Sequence, residues 1–369
     1  MKNGFIEEDY RERPWSTGVA ASRILELQQE LAKILAARRP VFLDTGFWIM
    51  AREAAFDENS DTESRMLLDA LRSSVSSGKA FFPITYELLD EFTKQSMDRF
   101  NRTMQIVDEL SLGVAMMLPE ERLTVEVENF IANCFPNSSK IERPIWTRSA
   151  FMLGTGLVDQ GPLCSDNIMR AAVDALWETK PSDFYDYETC KSFNSKEFSE
   201  LSARKLRDQH EAHSKDISSH KSALQIEVQG ASTTVTGIAA REMRRISAED
   251  PGCDGVVSLD QSRTFGEKFA MMTAKALELD CNRKKFGTLY VNAALHAGLR
   301  SNKGQKLKAN DLFYFNHAVA GLPYCDAFCT TEGSLKTFIT SGHMNLDKLY
   351  ECSILSSAGE IKAWLGSIP

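Results

Sequence analysis

The chain reads as an α/β protein: a central parallel sheet covered by helices and interrupted by a large, mainly α-helical insertion. Short apolar runs that end in small or turn residues stand near both ends of the chain. They are Val41 to Leu43 before Asp44-Thr45-Gly46, and Tyr324 to Thr330 before Thr331-Glu332-Gly333. A helix-period pattern follows each run directly, and strands alternating with helices imply parallel pairing with both faces covered. Between these ends, residues 100 to 284 show mostly helical periodicity. One sheet therefore has to be closed by segments far apart in sequence.

The elements follow in order. Residues 17 to 38 repeat Val19, Ile24, Leu27, Leu31 and Leu35 at near-helical spacing, and Arg39-Pro40 ends that helix. After Asp44 a second helix runs to about Ala55. Met66, Leu67, Leu68 and Leu71 mark a third. Ala80 to Thr85 reads as a second strand, cut short by Pro83, with a helix carrying Glu87 and Glu91 directly after it. Residues 196 to 222 are charged and read as a solvated helix. Near the end come a helix from Phe286 to Leu299, another from Leu312 to Ala320 and the third strand, Tyr324 to Thr330. A short helix, a fourth strand from Leu349 to Leu355 and a closing helix from Ala358 to Leu365 complete the chain. The expected organisation is an N-terminal helical extension (1–38), a core assembled from 39–99 and 285–369, and the helical insertion (100–284).

Composition narrows the function classes. Across 369 residues, 43% are apolar and 25% charged, which are ordinary globular values. The net charge of −8 argues against an all-basic surface but leaves room for a local basic groove. No apolar run approaches the ~18 residues of a membrane helix. The N-terminus lacks a signal-peptide core, and the eight cysteines form no Cys-x-x-Cys pair. A cytoplasmic protein with free thiols and no membrane contact is the expectation. Walker A and His-Glu-x-x-His motifs are absent, and Gly154-Thr-Gly156 follows no clear strand, which removes the common nucleotide-loop and zincin readings.

Acidic residues instead gather at strand ends and helix starts. Asp44 follows the first strand, and Glu87 opens the helix after the second. Asp311 starts a helix, Asp326 begins the third strand, and Glu332 lies just past its end. Carboxylate oxygens suit Mg²⁺ or Mn²⁺, and such ions activate water and stabilise charge on a phosphodiester. Taken singly, each residue has a plainer role as a helix cap, a dipole partner or a turn residue. Joint placement around one sheet end is what turns them into a candidate site. His317 reads first as a core histidine, and Thr45, Thr330 and Thr331 as ordinary strand-end threonines.

Four of these segments resemble the motifs of PIN-like nuclease domains. Phe42-Leu-Asp-Thr45 resembles the opening motif, with its strand-end Asp. Pro83-Ile-Thr-Tyr-Glu-Leu-Leu89 looks like the second, and Asn310-Asp-Leu-Phe-Tyr-Phe-Asn-His-Ala318 is similar to the third. Pro323-Tyr-Cys-Asp-Ala-Phe-Cys-Thr-Thr-Glu332 resembles the fourth. The resemblance covers about residues 39 to 95 and 286 to 366. It implies a compact three-layer α/β/α core and metal-dependent cleavage of nucleic acid, most simply by an endoribonuclease using Mg²⁺ or Mn²⁺. By position it assigns Asp44, Glu87, Asp311 and Glu332 as metal ligands and catalytic groups. Asp326 is an alternative to Glu332, and Glu91 can replace or support Glu87.

Substrate-facing charge is expected from Arg300, Lys303, Lys306 and Lys308, which immediately precede Asp311 and are of the type that binds phosphate. Arg283-Lys284-Lys285 and Arg241, Arg244 and Arg245 are further basic clusters. The expected partner is nucleic acid, RNA ahead of DNA. A protein partner or self-association through the insertion is the second expectation. The competing function is a non-catalytic PIN-like scaffold or regulatory protein.

Overall fold

In a computed structural model of the chain, the described residues are 18–134, 143–154, 165–193, 204–205, 208, 217, 219–249, 257–302 and 309–369. At the centre stands β1 (Arg39–Leu43), whose Val41, Phe42 and Leu43 are wholly buried. A strand covered on both faces needs a continuous apolar run rather than an alternating one. β1 pairs in parallel with β2 (Ala80–Phe81) on one side and with β5 (Ala327–Cys329) on the other. β6 (Ser353–Leu355) adds to β5, giving the parallel order β2-β1-β5-β6. Strands more than 280 positions apart are thus neighbours, with Leu43 opposite Cys329 and the Phe42 and Phe328 rings stacked at 5.2 Å. β3 (Val114–Met116) pairs antiparallel with β4 (Trp146–Arg148), and a parallel bridge from Ile84 to Ala115 ties this pair to the chain leaving β2.

The helices divide between those near the sheet and those from the middle of the chain. α1 (Val19–Leu35) packs on α7 (Asp166–Trp177) and β4, forming a satellite apolar cluster. α2 (Thr45–Phe56) lies against α3 (Thr62–Ser76) and α5 (Met97–Ser111), with α4 (Tyr86–Phe92) between them in sequence. α6 (Pro119–Cys134) follows β3, and the short α8 (Pro181–Phe184) and α9 (Tyr187–Phe193) follow α7. α10 (His220–Ser232), α11 (Val235–Glu249) and α12 (Leu259–Ala276) pack on one another, and α10 also packs on α14 (Gly287–Ser301). α13 (Asp280–Lys285) precedes α14. α15 (Ala309–Gly321) touches α14, α4 and β5. α16 (Gly333–Ile339), α17 (Leu346–Tyr350) and α18 (Ala358–Ser367) complete the chain, and α18 packs on α3.

Several expectations change in detail. The segment expected as a strand from Leu349 splits into α17 and β6, because Leu346, Leu349 and Tyr350 follow helical spacing and Glu351 turns the chain with φ +57°. The third strand shrinks to Ala327–Cys329 because Cys325 N–H still bonds back to Gly321 O at 3.0 Å. The mostly helical middle contains the two three-residue strands β3 and β4. Residue 99, the expected core boundary, lies inside α5, whose Phe100, Met104 and Val107 belong to the same buried cluster as β1. Val228 and Phe269 from the middle join that cluster too. Most of residues 196–222 lie outside the described residues. Among the described residues no helix is long and apolar enough to cross a membrane.

Candidate active site

The chain leaves β1 toward β2 on one side, while β5 and β6 occupy the other, so the strand order reverses between β1 and β5. In open α/β sheets the ligand crevice lies outside the carboxyl ends of the strands at such a switch point. Asp44 ends β1 there, and Thr330, Thr331 and Glu332 follow β5.

Asp44 is 6% exposed and serves both sides of the crevice. Its Oδ1 accepts from Phe47 N–H at 3.2 Å, capping α2. Its Oδ2 accepts from the Thr331 amide at 2.5 Å and from Thr331 Oγ1 at 3.0 Å, which staples the end of β1 to the end of β5. Burial pushes the Asp44 carboxyl above its usual range, and the hydrogen bonds from Thr331 and Phe47 oppose that shift. Gly46 makes this approach sterically possible. A Cβ on it would come within 2.7 Å of Thr331 Oγ1 and 3.2 Å of Asp44 Oδ1.

Glu91, in the last turn of α4, accepts a hydrogen bond from Thr45 Oγ1, the residue next to Asp44. Its carboxylate also lies 3.8 Å from Lys94 Nζ and 3.8 Å from His317 Nε2. α15 offers Asp311, Tyr314 and His317 at three-residue intervals, which keeps neighbours in the series on adjoining faces of the helix. Tyr314 donates its hydroxyl to Glu332 Oε1 at 2.7 Å. Burial raises the Tyr314 pKa, and the charges of Glu332, Glu91 and Asp44 raise it further, so the phenol stands among three carboxylates. Asp311 is half-buried in the first turn of α15, one turn before Tyr314. His317 is 2% exposed and 5.5 Å from the Phe42 ring, and its Nε2 has no hydrogen-bond partner among the described residues.

The remaining sequence candidates stand elsewhere. Glu87 is buried and paired with Arg122 Nη2 at 3.3 Å. Arg122 is itself wholly buried and reaches the Tyr324 ring, so Glu87 belongs to an internal polar network with Arg122 rather than to the crevice. Asp326 precedes β5 while Glu332 follows it, which places the two at opposite ends of one strand. Asp326 faces Arg39 at 3.6 Å. Arg300 is ion-paired with Glu227. Lys303, Lys306 and Lys308 lie outside the described residues. Sequence reasoning did not single out Tyr314. Its signal was the i+3 spacing from Asp311 on a helix already assigned to the site.

Asp44, Glu91 and Glu332 supply oxygens of the kind that hard divalent cations take. Their spacing is another matter, since each is engaged by a protein donor: Thr331 and Phe47, Thr45, and Tyr314 respectively. Among the described residues no three His, Cys, Asp or Glu side chains form a group able to hold a metal ion. Family models, curated proteins and solved structures were all compared with this chain, and none matches it.

Proposed function

We propose that this chain is a nuclease of PIN-like type that hydrolyses phosphodiester bonds in nucleic acid, RNA ahead of DNA, in the crevice between β1 and β5. The observation that carries the reading is the gathering of Asp44, Glu91 and Glu332, from three separate elements, at the switch point of a parallel sheet. Asp311 shares the helix that brings Tyr314 to them. Glu91 takes the role that sequence position alone assigned to Glu87.

Mg²⁺ or Mn²⁺ belongs to this proposal, with Asp44, Glu91, Glu332 and Asp311 as the acids of the crevice that would have to turn toward it, since as they stand no three of the described acids form a metal-holding group. A bound cation would supply positive charge where a phosphodiester meets an acidic crevice. The chain's own groups hold the carboxylates in place. Thr331 and the Phe47 amide fix Asp44, Thr45 orients Glu91, and Tyr314 keeps a proton on its oxygen beside Glu332. The test is cleavage of a panel of RNA and DNA by purified wild type and Asp44→Asn with Mn²⁺ present. Wild type is expected to cleave and the variant to lose about a hundredfold or more. Equal cleavage by the two proteins overturns the assignment.

A second reading is favoured by one observation: Asp44, Glu91 and Glu332 each already have a protein donor. On it the sheet is a non-catalytic scaffold, and the helical middle meets a protein partner or a second copy. The helical middle also exposes single apolar side chains, with Leu259, Met271 and Met272 of α12 each more than two-thirds exposed. Calorimetric titration with Mn²⁺ separates the readings. Binding that depends on Asp44 supports the nuclease, and no binding to wild type supports the scaffold.

A further inference from the structure

The opposite edge of the sheet carries a cavity of about 810 Å³, within the usual range for small-molecule sites. Arg39 and Pro40 at the start of β1 and Asp326 at the start of β5 line it, so it lies a strand's length from Asp44. Its charge contrasts with the chain as a whole, which carries −8. Lys33, Arg38, Arg39, Arg143, Lys284 and Lys285 line the cavity against only Glu126 and Asp326. Arg39, Arg143 and Lys284 are matched by Asp326, Glu128 and Glu351 at 3.6, 2.9 and 2.5 Å. Lys33 and Lys285 make no ion pair among the described residues, and both are exposed. Lys285 stands 5.6 Å over the Phe130 ring.

The walls and floor add chemistry that a bare anion site does not need. Trp146 and Phe130 are half-buried and line the cavity, Trp146 edge-on to Phe81 and Phe130 against Phe286. At the floor, Glu126 is 7% exposed. Its Oε1 accepts from the Thr288 amide at 2.8 Å and from Tyr324 Oη, while its Oε2 has no hydrogen-bond partner among the described residues. A buried polar atom without a partner costs free energy that a ligand group can recover. Free cations at the rim, flat apolar walls and one unsatisfied polar atom at the floor match a ligand with three parts: an anionic group, a flat ring and a polar ring edge.

We propose that this cavity binds a nucleoside phosphate, with the phosphate against Lys33 and Lys285, the base against Trp146 and Phe130, and the base edge toward Glu126. Burial holds the Glu126 carboxyl near a pKa of about 7, so around neutrality it does not fully offset the cations at the rim. The site stands apart from the acidic crevice, and its test does not depend on cleavage.

The experiment is calorimetric titration of the full chain, in chelator-containing buffer, with the four nucleoside 5′-monophosphates and with inorganic phosphate. At least one nucleotide is expected to bind at least about tenfold more tightly than inorganic phosphate. The charge-reversed pair Lys33→Glu/Lys285→Glu, at two exposed positions, is expected to weaken that binding at least about tenfold, and Asp44→Asn to leave it unchanged. Three results overturn the proposal: no nucleotide binding at millimolar concentration, inorganic phosphate binding as tightly as every nucleotide, or wild-type affinity in the charge-reversed pair.

Discussion

Asp44 does two jobs with one carboxylate: it caps α2 and it holds the end of β5 through Thr331. Capping is what a lone strand-end Asp most often does. The second job appears only when β5 arrives beside β1. Gly46, in the first turn of α2, lies against these contacts, and a Cβ on it would meet Thr331 at 2.7 Å. Gly46→Ala is therefore expected to push Thr331 away and destabilise the fold by about 1–3 kcal/mol, read by urea unfolding. The two glutamates of α4 divide in the same way. Glu87 is locked against the fully buried Arg122, so Glu87→Ala leaves a buried cation unpaired and is expected to cost about 3–5 kcal/mol. Glu91→Gln is expected to keep stability within about 1 kcal/mol and, on the proposed nuclease reading, to lower cleavage about a hundredfold. Unfolding curves and rates on the same two variants show which glutamate serves the site. Their sequence separation of four residues cannot, because i and i+4 lie on one helix face. What distinguishes them is Arg122, brought from α6.

At the scale of the element, β1 and β5 set the site. Phe42 and Phe328 stack at 5.2 Å across the pair, and Gly321 of α15 fits so closely that a Cβ there would lie 2.3 Å from the Phe328 ring. Phe42→Ala is expected to cost about 3–5 kcal/mol in thermal or urea unfolding, since it opens a cavity where α15, β1 and β5 meet. β1 and α2 were readable because a continuous apolar run ends in a capping residue. β3 and β4 were not, because three residues carry too little pattern to separate from a helical background. β5 shows the same limit differently. Asp326 and Glu332 are six positions apart in sequence, yet a strand of only three residues sends them to opposite edges of the sheet. One edge holds the acidic crevice, and the other holds the basic cavity.

For the whole molecule, buried acids in α6 make stability depend on pH. Burial raises both Glu126 and Glu121 from 4.5 to about 7. Each native carboxyl then holds its proton more tightly than the unfolded chain does. The resulting stabilisation is fully present below about pH 4.5 and is lost as pH rises through 7. For Glu126 alone the span amounts to roughly 3 kcal/mol. Unfolding free energy is expected to fall between pH 5 and pH 7.5, and Glu126→Gln to flatten that slope. An unchanged slope in the variant rules out Glu126 as the cause.

The sequence by itself determined an α/β class, a parallel sheet closed by the two ends of the chain, the strand-end position of Asp44 and an oxygen-rich set of acidic residues. These follow from apolar periodicity and from residues that start or stop elements, both local properties. Only the tertiary structure decided which partner each acid meets. It turned Glu87 inward to Arg122 and set Glu91 beside Thr45. It also sent Asp326 to the far edge and brought Tyr314 to Glu332. The physical reason is that a carboxylate's direction is set by the nearest donor in space. For Asp44 that donor is Thr331, 287 positions away along the chain.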